Sequence, residues 1–318
     1  MRAVVTGGAG FIGSNIVDAL VADGVEVLVV DDMSHGREAN LAGALGSGAR
    51  LAVIDIRDAG RIDAEFTAFR PDLVFHLAAQ IDVRTSMVEP ARDAAVNVLG
   101  SVNVFDAARR AGARRVVNTS TGGAMYGATE VVPTPETEPA VPVSGYGLSK
   151  STAERYAAWF RAQHGLETVT LRYGNVYGPR QDPHGDAGVI AIFCERVLSG
   201  ARPAVFGDGT QTRDFVFVGD IVAANLAGAR AAALPHDVYN VGTGREVSVL
   251  ELVAAIAAAA GVDPADFAPI LQPARPGELH RSCLDVRRAR AELGIPEPTP
   301  LVEGLAATLA WVRELERS

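Results

Sequence analysis

Cysteine is scarce: Cys194 and Cys283 are the only two in 318 residues. That is too few for a disulfide framework, and it points to a reducing compartment. The six histidines are scattered, and none has the spacing that a metal site needs, so no metal is expected. Positive charge is short as well. The formal net charge of −9 speaks against a general nucleic-acid binder, which favours a basic face, though not against a local basic pocket for a phosphate. Long apolar runs are missing. The most apolar stretch, Leu252 to Val262, is Ala-rich and shorter than the roughly 20 residues of a membrane span. The first strand starts almost at Met1, leaving no room for a signal peptide. A cytoplasmic protein without a membrane partner is the expectation.

The length suffices for a substantial core, in one large domain with a smaller partner. In the first half, short β-branched runs alternate with helical segments. Strands are expected at Arg2–Val5, Val25–Val30, Leu51–Ile54, Leu73–His76, Arg115–Thr119 and Thr168–Leu171, with a return near Val238–Val241. Helices are expected at Ser14–Asp23, Ala91–Ala111 and Ser151–His164. This alternation implies an α/β fold, a Rossmann-type doubly wound parallel sheet covered on both faces. In the second half Pro and Gly cluster at Gly178-Pro179, Pro183 to Gly188, Arg202-Pro203 and Pro273 to Gly277, which reads as a smaller interleaved substrate-closing region. Residues 1–174, with a return at about 215–245, form the dinucleotide-binding domain on this reading. Residues 175–214 and 246–318 form the substrate-binding one.

Thr6-Gly7-Gly8-Ala9-Gly10-Phe11-Ile12-Gly13 follows the first strand and opens the first helix. Gly7, Gly10 and Gly13 let the turn tighten, the backbone approach a pyrophosphate and the helix pack on the strand. The helix terminus then offers open N–H groups to phosphate. Asp31, with Asp32 beside it, ends strand two, where a carboxylate can accept from both adenosine ribose hydroxyls. A 2′-phosphate would meet like charge there, so NAD is favoured over NADP; Arg37 nearby argues mildly the other way. Asp55 and Ile56, after strand three, are placed to flank the adenine.

Tyr146 and Lys150 stand four residues apart, on one face of a helix. A tyrosine, with a pKa of about 10, is a poor base, but an ammonium and a positive nicotinamide ring beside it favour the phenolate. Such a tyrosine can take a hydroxyl proton as hydride leaves the same carbon. In the loop Thr119 to Gly127, Ser120 or Thr121 can donate to the reacting oxygen; Thr121 is preferred. His76 is read as the structural end of strand four.

The Gly7–Gly13 fingerprint, His76-Leu77-Ala78-Ala79-Gln80, Asn97, the Thr119–Gly127 loop and the Tyr146/Lys150 pair resemble the extended short-chain dehydrogenase/reductase superfamily. Asn175-Val176-Tyr177-Gly178-Pro179-Arg180-Gln181 and Phe206 to Asp214 look like its sugar-nucleotide branch, the NAD-dependent epimerases and dehydratases, and among them the UDP-glucose 4-epimerases. The resemblance runs over nearly the whole chain. It implies that Phe11, Ile12, Leu77, Ala78, Ala79, Gln80, Asn97, Tyr173 and Val176 join the cofactor site. It further implies that Tyr146 deprotonates a sugar 4-hydroxyl, and that hydride passes from C4 to NAD and returns to the opposite face after the keto sugar has turned.

For the nucleotide-sugar substrate, Arg213 and Arg275 suit a diphosphate, since guanidinium pairs with phosphate oxygens bidentately. Asn175 and Gln211 can donate to phosphate or sugar, with Phe206 in the same motif, and Gly188, Val189 and Phe193 can wall a uracil. Gly122-Gly123 stands where related dehydratases carry an Asp-Glu pair, which disfavours a dehydratase. Asp182 stands where uronate epimerases often have arginine, and an acid would oppose a uronate. Ser282, seven residues after Arg275, is small enough to admit an N-acetyl group. UDP-glucose/UDP-galactose interconversion is therefore expected, with UDP-GlcNAc/UDP-GalNAc as an extension. The alternatives are a UDP-glucuronate or dTDP/CDP-hexose 4-epimerase, or a sugar-nucleotide dehydrogenase or reductase. Gly174, where relatives often have an aromatic, is expected to loosen the packing near the nicotinamide. Trp159 and Phe160 suit core or interface. Helices Val96–Ala111 and Ser151–His164 resemble the pair through which relatives form a homodimer.

Overall fold

The computed structural model describes residues 1–183, 188–274 and 279–315. Seven strands make its central sheet: β1 (Arg2–Thr6), β2 (Glu26–Asp31), β3 (Arg50–Val53), β4 (Leu73–His76), β5 (Arg115–Thr121), β6 (Glu167–Tyr173) and β7 (Val238–Val241). Their order is β7-β6-β5-β4-β1-β2-β3, with every pairing parallel. Strand order reverses between β1 and β4, and the crevice beyond the carboxyl ends of strands at such a point is where ligands bind in open α/β sheets.

The longer helices are α1 (Phe11–Ala22), α2 (Ala59–Phe69), α3 (Ser101–Arg110), α4 (Gly145–His164), α5 (Val189–Leu198), α6 (Val218–Arg230), α7 (Val249–Ala260) and α8 (Leu301–Leu315). Successive strand residues point to opposite faces, so Val5, Val29 and Phe75 pack with Ile16 and Leu20 of α1 and Ile221 of α6. Their neighbours Val4, Leu28 and Val74 pack with Phe66 of α2, Phe105 of α3 and Phe160 of α4. A third apolar cluster joins Phe193 of α5, Ile256 of α7 and Leu309 of α8. Three two-stranded sheets stand apart from the central one, among them Thr212–Arg213 with Val247–Ser248 and Ala204–Phe206 with Ile270–Gln272.

Three local departures from the sequence reading shape the site. β5 runs on to Thr121, because Ser120 and Thr121 continue the ladder opposite Arg172 and Tyr173. The helical run after Pro90 is interrupted by a π turn at Ala95–Gly100, a feature frequent at functional sites. α4 starts at Gly145, six residues before Ser151, because Ser144 caps it by accepting from the Gly147 N–H at 3.1 Å. Tyr146 and Lys150 therefore sit in its first turns. No described helix is long and apolar enough to cross a membrane, and both cysteines are free and buried.

Candidate active site

The glycine turn is closed by backbone contact. Gly7 has φ +68°, and a Cβ there would stand 2.6 Å from the Ala78 nitrogen. A Cβ on Gly13 would lie 2.2 Å from the Gly7 oxygen. Gly10 caps α1 without a side chain, so the N–H groups around Phe11 and Ile12 face the crevice as an anion site. Asp31 is buried at the end of β2. Its Oδ2 accepts from the Ala9 N–H and its Oδ1 from the Met33 N–H, each at 2.9 Å. Burial raises its pKa and these two donors lower it. Each carboxylate oxygen retains a lone pair for a ribose hydroxyl.

The other residues expected near the adenosine make bonds within the chain. Asp32 Oδ1 accepts from the Ser34 N–H at 2.9 Å and the Ser34 hydroxyl at 2.6 Å, a local turn. The Asp55 carboxylate is gripped by Arg57, which holds it below the usual carboxylate range. Ile56 packs inward against Gly100, and its carbonyl accepts from Asn103. Arg37 is ion-paired to Asp182 at 2.5 Å. That single contact weakens two sequence arguments. Arg37 has an acid as its partner in place of a 2′-phosphate, and the Asp182 charge is met by a guanidinium on the loop after β2.

Tyr146 and Lys150 share the inner face of α4. Lys150 is only 4% exposed and takes no hydrogen bond or ion pair from the described residues. It is also the sole lysine of the chain, every other member of the Lys+Arg count of 29 being arginine. A lysine can shift its pKa and an arginine cannot. Burial pushes Lys150 down to about 8, against the fields of Glu154 and Asp93. Tyr146 is pushed up to about 12, first by burial and then by Asp93. Burial and the Asp93 charge thus favour the neutral tyrosine, against which the sequence reading sets two cations, Lys150 and a nicotinamide ring.

The floor of the site is a hydrogen-bonded chain. Thr6 Oγ1 meets His76 Nδ1 at 2.8 Å, and His76 Nε2 meets Ser101 Oγ at 2.9 Å. Ser101 gives its own proton to the Asn97 carbonyl at 2.7 Å, so His76 donates from Nε2 and accepts at Nδ1. Burial, then Lys150, holds this histidine down to about 3, neutral and structural. Asn97 is buried in the π turn. Its Oδ1 accepts from the Gln80 N–H and its Nδ2 donates to the Gln80 carbonyl, both at 2.9 Å. These two bonds fix the end of the Leu77–Gln80 loop, where the sequence reading places cofactor contacts.

Thr119 bonds the Tyr173 hydroxyl at 3.1 Å, and Asn225 donates to that hydroxyl at 2.7 Å. The Tyr173 carbonyl accepts from the Gly122 N–H. The hydroxyl and the carbonyl of Tyr173 are thus both bonded within the chain. Val176 packs on the same core, and its carbonyl accepts from Gln181. Strand alternation puts Ser120 on the α4 face, where its Oγ is buried without a partner. Thr121 Oγ1 accepts from the Ala124 N–H at 3.2 Å, which leaves its proton to give outward. Gly174 does not loosen the site. A Cβ there would stand 2.8 Å from the Asp214 carbonyl, so the glycine admits a close chain crossing. The buried Asp214 carboxylate ties that crossing together by accepting from the Thr243, Gly244 and Leu284 N–H groups.

Val189, Phe193, Phe206 and Gln211, far apart in sequence, line one cavity of about 200 Å³ together with Arg196, a neighbour the sequence reading missed. Gly188 caps α5 just before Val189. Gln211 donates to the Phe206 carbonyl at 2.8 Å, which rigidifies this wall. Asn175 is exposed, its Oδ1 3.9 Å from where a Cβ on Gly123 would be. Arg213 donates to the Thr212 carbonyl at 2.8 Å, and Ser282 is half-buried beside Cys283. Arg275 lies outside the described residues.

A parallel sheet with a glycine cradle at its switch point and a Tyr/Lys pair at the same strand ends defines an NAD-binding enzyme of the short-chain dehydrogenase type. The profile of the NAD dependent epimerase/dehydratase family matches residues 3–242, and the chain belongs to that family. A UDP-glucose 4-epimerase of Mycolicibacterium smegmatis is 46% identical, over 98% of this chain and 99% of its own. The structure of a UDP-glucose 4-epimerase with UDP-glucose from Thermotoga maritima superimposes with a TM-score of 0.94 at 42% identity, covering 99% of this chain and 100% of that one. A UDP-glucose 4-epimerase from Thermus thermophilus in complex with NAD gives 0.89 at 42% identity, covering 98% and 99%.

Proposed function

We propose that this protein interconverts UDP-glucose and UDP-galactose by transient oxidation at C4 of the sugar. The observation that carries the reading is the Tyr146/Lys150 pair in the first turns of α4, with buried Lys150 close enough to act on His76 and His76 bonded to Thr6 at the head of the glycine turn. The identities of 46% and 42% to UDP-glucose 4-epimerases over the full chain support it. The cradle is already shaped for NAD. The turn has no room for added carbon at Gly7 or Gly13, the terminus of α1 is open, and Asp31 waits for a ribose. Bound NAD supplies a reversible hydride acceptor, so that one carbinol carbon can be oxidised and reduced again within a turnover.

Everything else falls to the chain's own side chains. Lys150 supplies a cation beside Tyr146, and Tyr146 takes the proton of the 4-hydroxyl. Thr121 donates to the same oxygen. Val189, Phe193 and Phe206 hold the base, and Arg213, with Arg275, holds the diphosphate. Epimerisation needs a nucleotide held firmly and a sugar held loosely. The walls supply the first, and Gly123, where a Cβ would meet only Asn175 Oδ1 at 3.9 Å, supplies room for the second. Half-buried Ser282 extends the substrates to UDP-GlcNAc and UDP-GalNAc.

We assign residues 1–174 with about 215–245 to a cofactor domain and 175–214 with 246–318 to a sugar-nucleotide domain, a division that the separate cluster around Phe193, Ile256 and Leu309 supports. Exposed Leu148, Tyr156 and Trp159 stripe one face of α4, and we assign them to a homodimer interface. A cytoplasmic, galactose-metabolising enzyme follows from this reading. The test is conversion of UDP-galactose without added NAD or net NADH, repeated with Tyr146→Phe. Turnover should fall by about 10²- to 10⁴-fold with cofactor retained; an undiminished variant refutes the mechanism.

A further inference from the structure

One buried carboxylate has no part in that reading. Asp93 lies in the short helix Pro90–Ala94, ahead of the π turn, and is 0% exposed. Its Oδ1 accepts from Gln80 Nε2 and Asn97 Nδ2, both at 2.9 Å. Its Oδ2 is buried with no hydrogen-bond partner. An unsatisfied buried carboxylate oxygen is costly and calls for an explanation.

The explanation lies in the charges around Lys150. Tyr146 stands one turn before it on α4 and Glu154 one turn after; His76 on β4 and Asp93 act on it from other elements. Tyr146 and His76 are uncharged at neutral pH, held so by burial. Glu154 is already paired: Arg172 Nη2 reaches its Oε2 at 2.6 Å and Arg172 Nε its Oε1 at 3.0 Å, with Arg172 further bonded to Tyr126. The ammonium and Asp93 are therefore the two charges of this pocket without an ion pair among the described residues, Asp93 being bonded only to the neutral amides of Gln80 and Asn97. Both are buried, and a buried ammonium without counter-charge gives up its proton.

We propose that Asp93 is a positioning residue for this site: it supplies the counter-charge that keeps Lys150 an ammonium, and through Gln80 and Asn97 it clamps the loop beneath the pair. The proposal rests on the reading of Tyr146 and Lys150 as the proton-transfer pair, but the charge of Lys150 can be measured without turnover. Asp93 is a compromise. Its field favours the ammonium and at the same time opposes the phenolate of Tyr146, so its distance from the tyrosine matters as much as its presence.

The single lysine makes the test direct. Protein grown on [ε-¹³C]lysine has one side-chain resonance, and its shift against pH gives the Lys150 midpoint in the NAD-loaded protein. Asp93→Asn keeps the shape and the Oδ1 contacts while removing the charge. The midpoint should fall by about one unit or more, and Asp93→Glu should restore most of it. At about pH 7, kcat for UDP-galactose should fall roughly tenfold with KM within about twofold. An unchanged midpoint overturns the proposal, even if turnover is lost, because a merely structural role would give that result. If Asp93→Asn does not fold, the unaltered protein decides: a midpoint at or above about pH 7.5 supports the proposal and one below it overturns it. Activity retained by Tyr146→Phe would instead sink the underlying mechanism and leave the Lys150 comparison standing.

Discussion

Replacing Gly13 by alanine tests the cofactor cradle at its tightest point. The added Cβ would lie 2.2 Å from the Gly7 oxygen, 2.8 Å from the Gly8 Cα and 2.9 Å from the Gly7 carbonyl carbon. All three are backbone atoms, so no rotamer change relieves the clash; either the turn opens or α1 moves off β1. Overpacking of this kind costs about 1–3 kcal/mol. Because NAD needs the closed turn, a cost falling on binding weakens affinity by roughly 5- to 150-fold, and a cost falling on the fold lowers Tm by a few degrees. Calorimetric NAD titration and a thermal melt separate the two. Gly43→Ala is the control: its Cβ meets nothing within 4 Å inside a helix, so Tm should hold or rise slightly. Gly13→Ala with unaltered affinity and unaltered Tm would refute the account of the cradle.

Asp31→Ser should relieve the repulsion of a 2′-phosphate, and adding Asp182→Asn should release Arg37 toward it. NADP affinity should rise stepwise in the two variants, and no gain in the double variant would mean that Arg37 cannot reach the ribose. Arg172→Met leaves Glu154 buried without its partner and should destabilise the fold by about 3–5 kcal/mol, read by urea denaturation; a loss under about 1 kcal/mol would mean that the carboxylate finds water. Burial pushes Lys150 down to about 8 from its ordinary 10.5. The unfolded chain therefore binds more protons between those limits, and stability should climb with pH across the interval by about 3 kcal/mol. Lys150→Met should lose that climb, and a variant with the same pH slope would refute burial as the cause.

The parallel strands, the glycine turn, Asp31 at the end of β2 and the Tyr146/Lys150 pair were all legible in the sequence. Each is a local pattern whose meaning lies within a few residues: a buried strand reads as an apolar run, a tight turn as glycines, a shared helical face as a spacing of four. What involved distant partners was not legible. Nothing near Asp182 announces Arg37, 145 positions away, and nothing near Gly174 announces the Asp214 carbonyl that needs its bare Cα. Asp32 and Asp55 look like Asp31 on paper, yet Asp31 is buried and bonded to the backbone N–H groups of Ala9 and Met33, while the others bond Ser34 and Arg57. The single lysine was a signal in plain view, and Asp93 was not, since an aspartate in a helix ordinarily faces water. Charge state completes the division. The sequence by itself determined which titratable groups stand four apart on α4; the tertiary structure decided that burial drives the tyrosine up and the lysine down, because desolvation depends on what the rest of the chain packs against them.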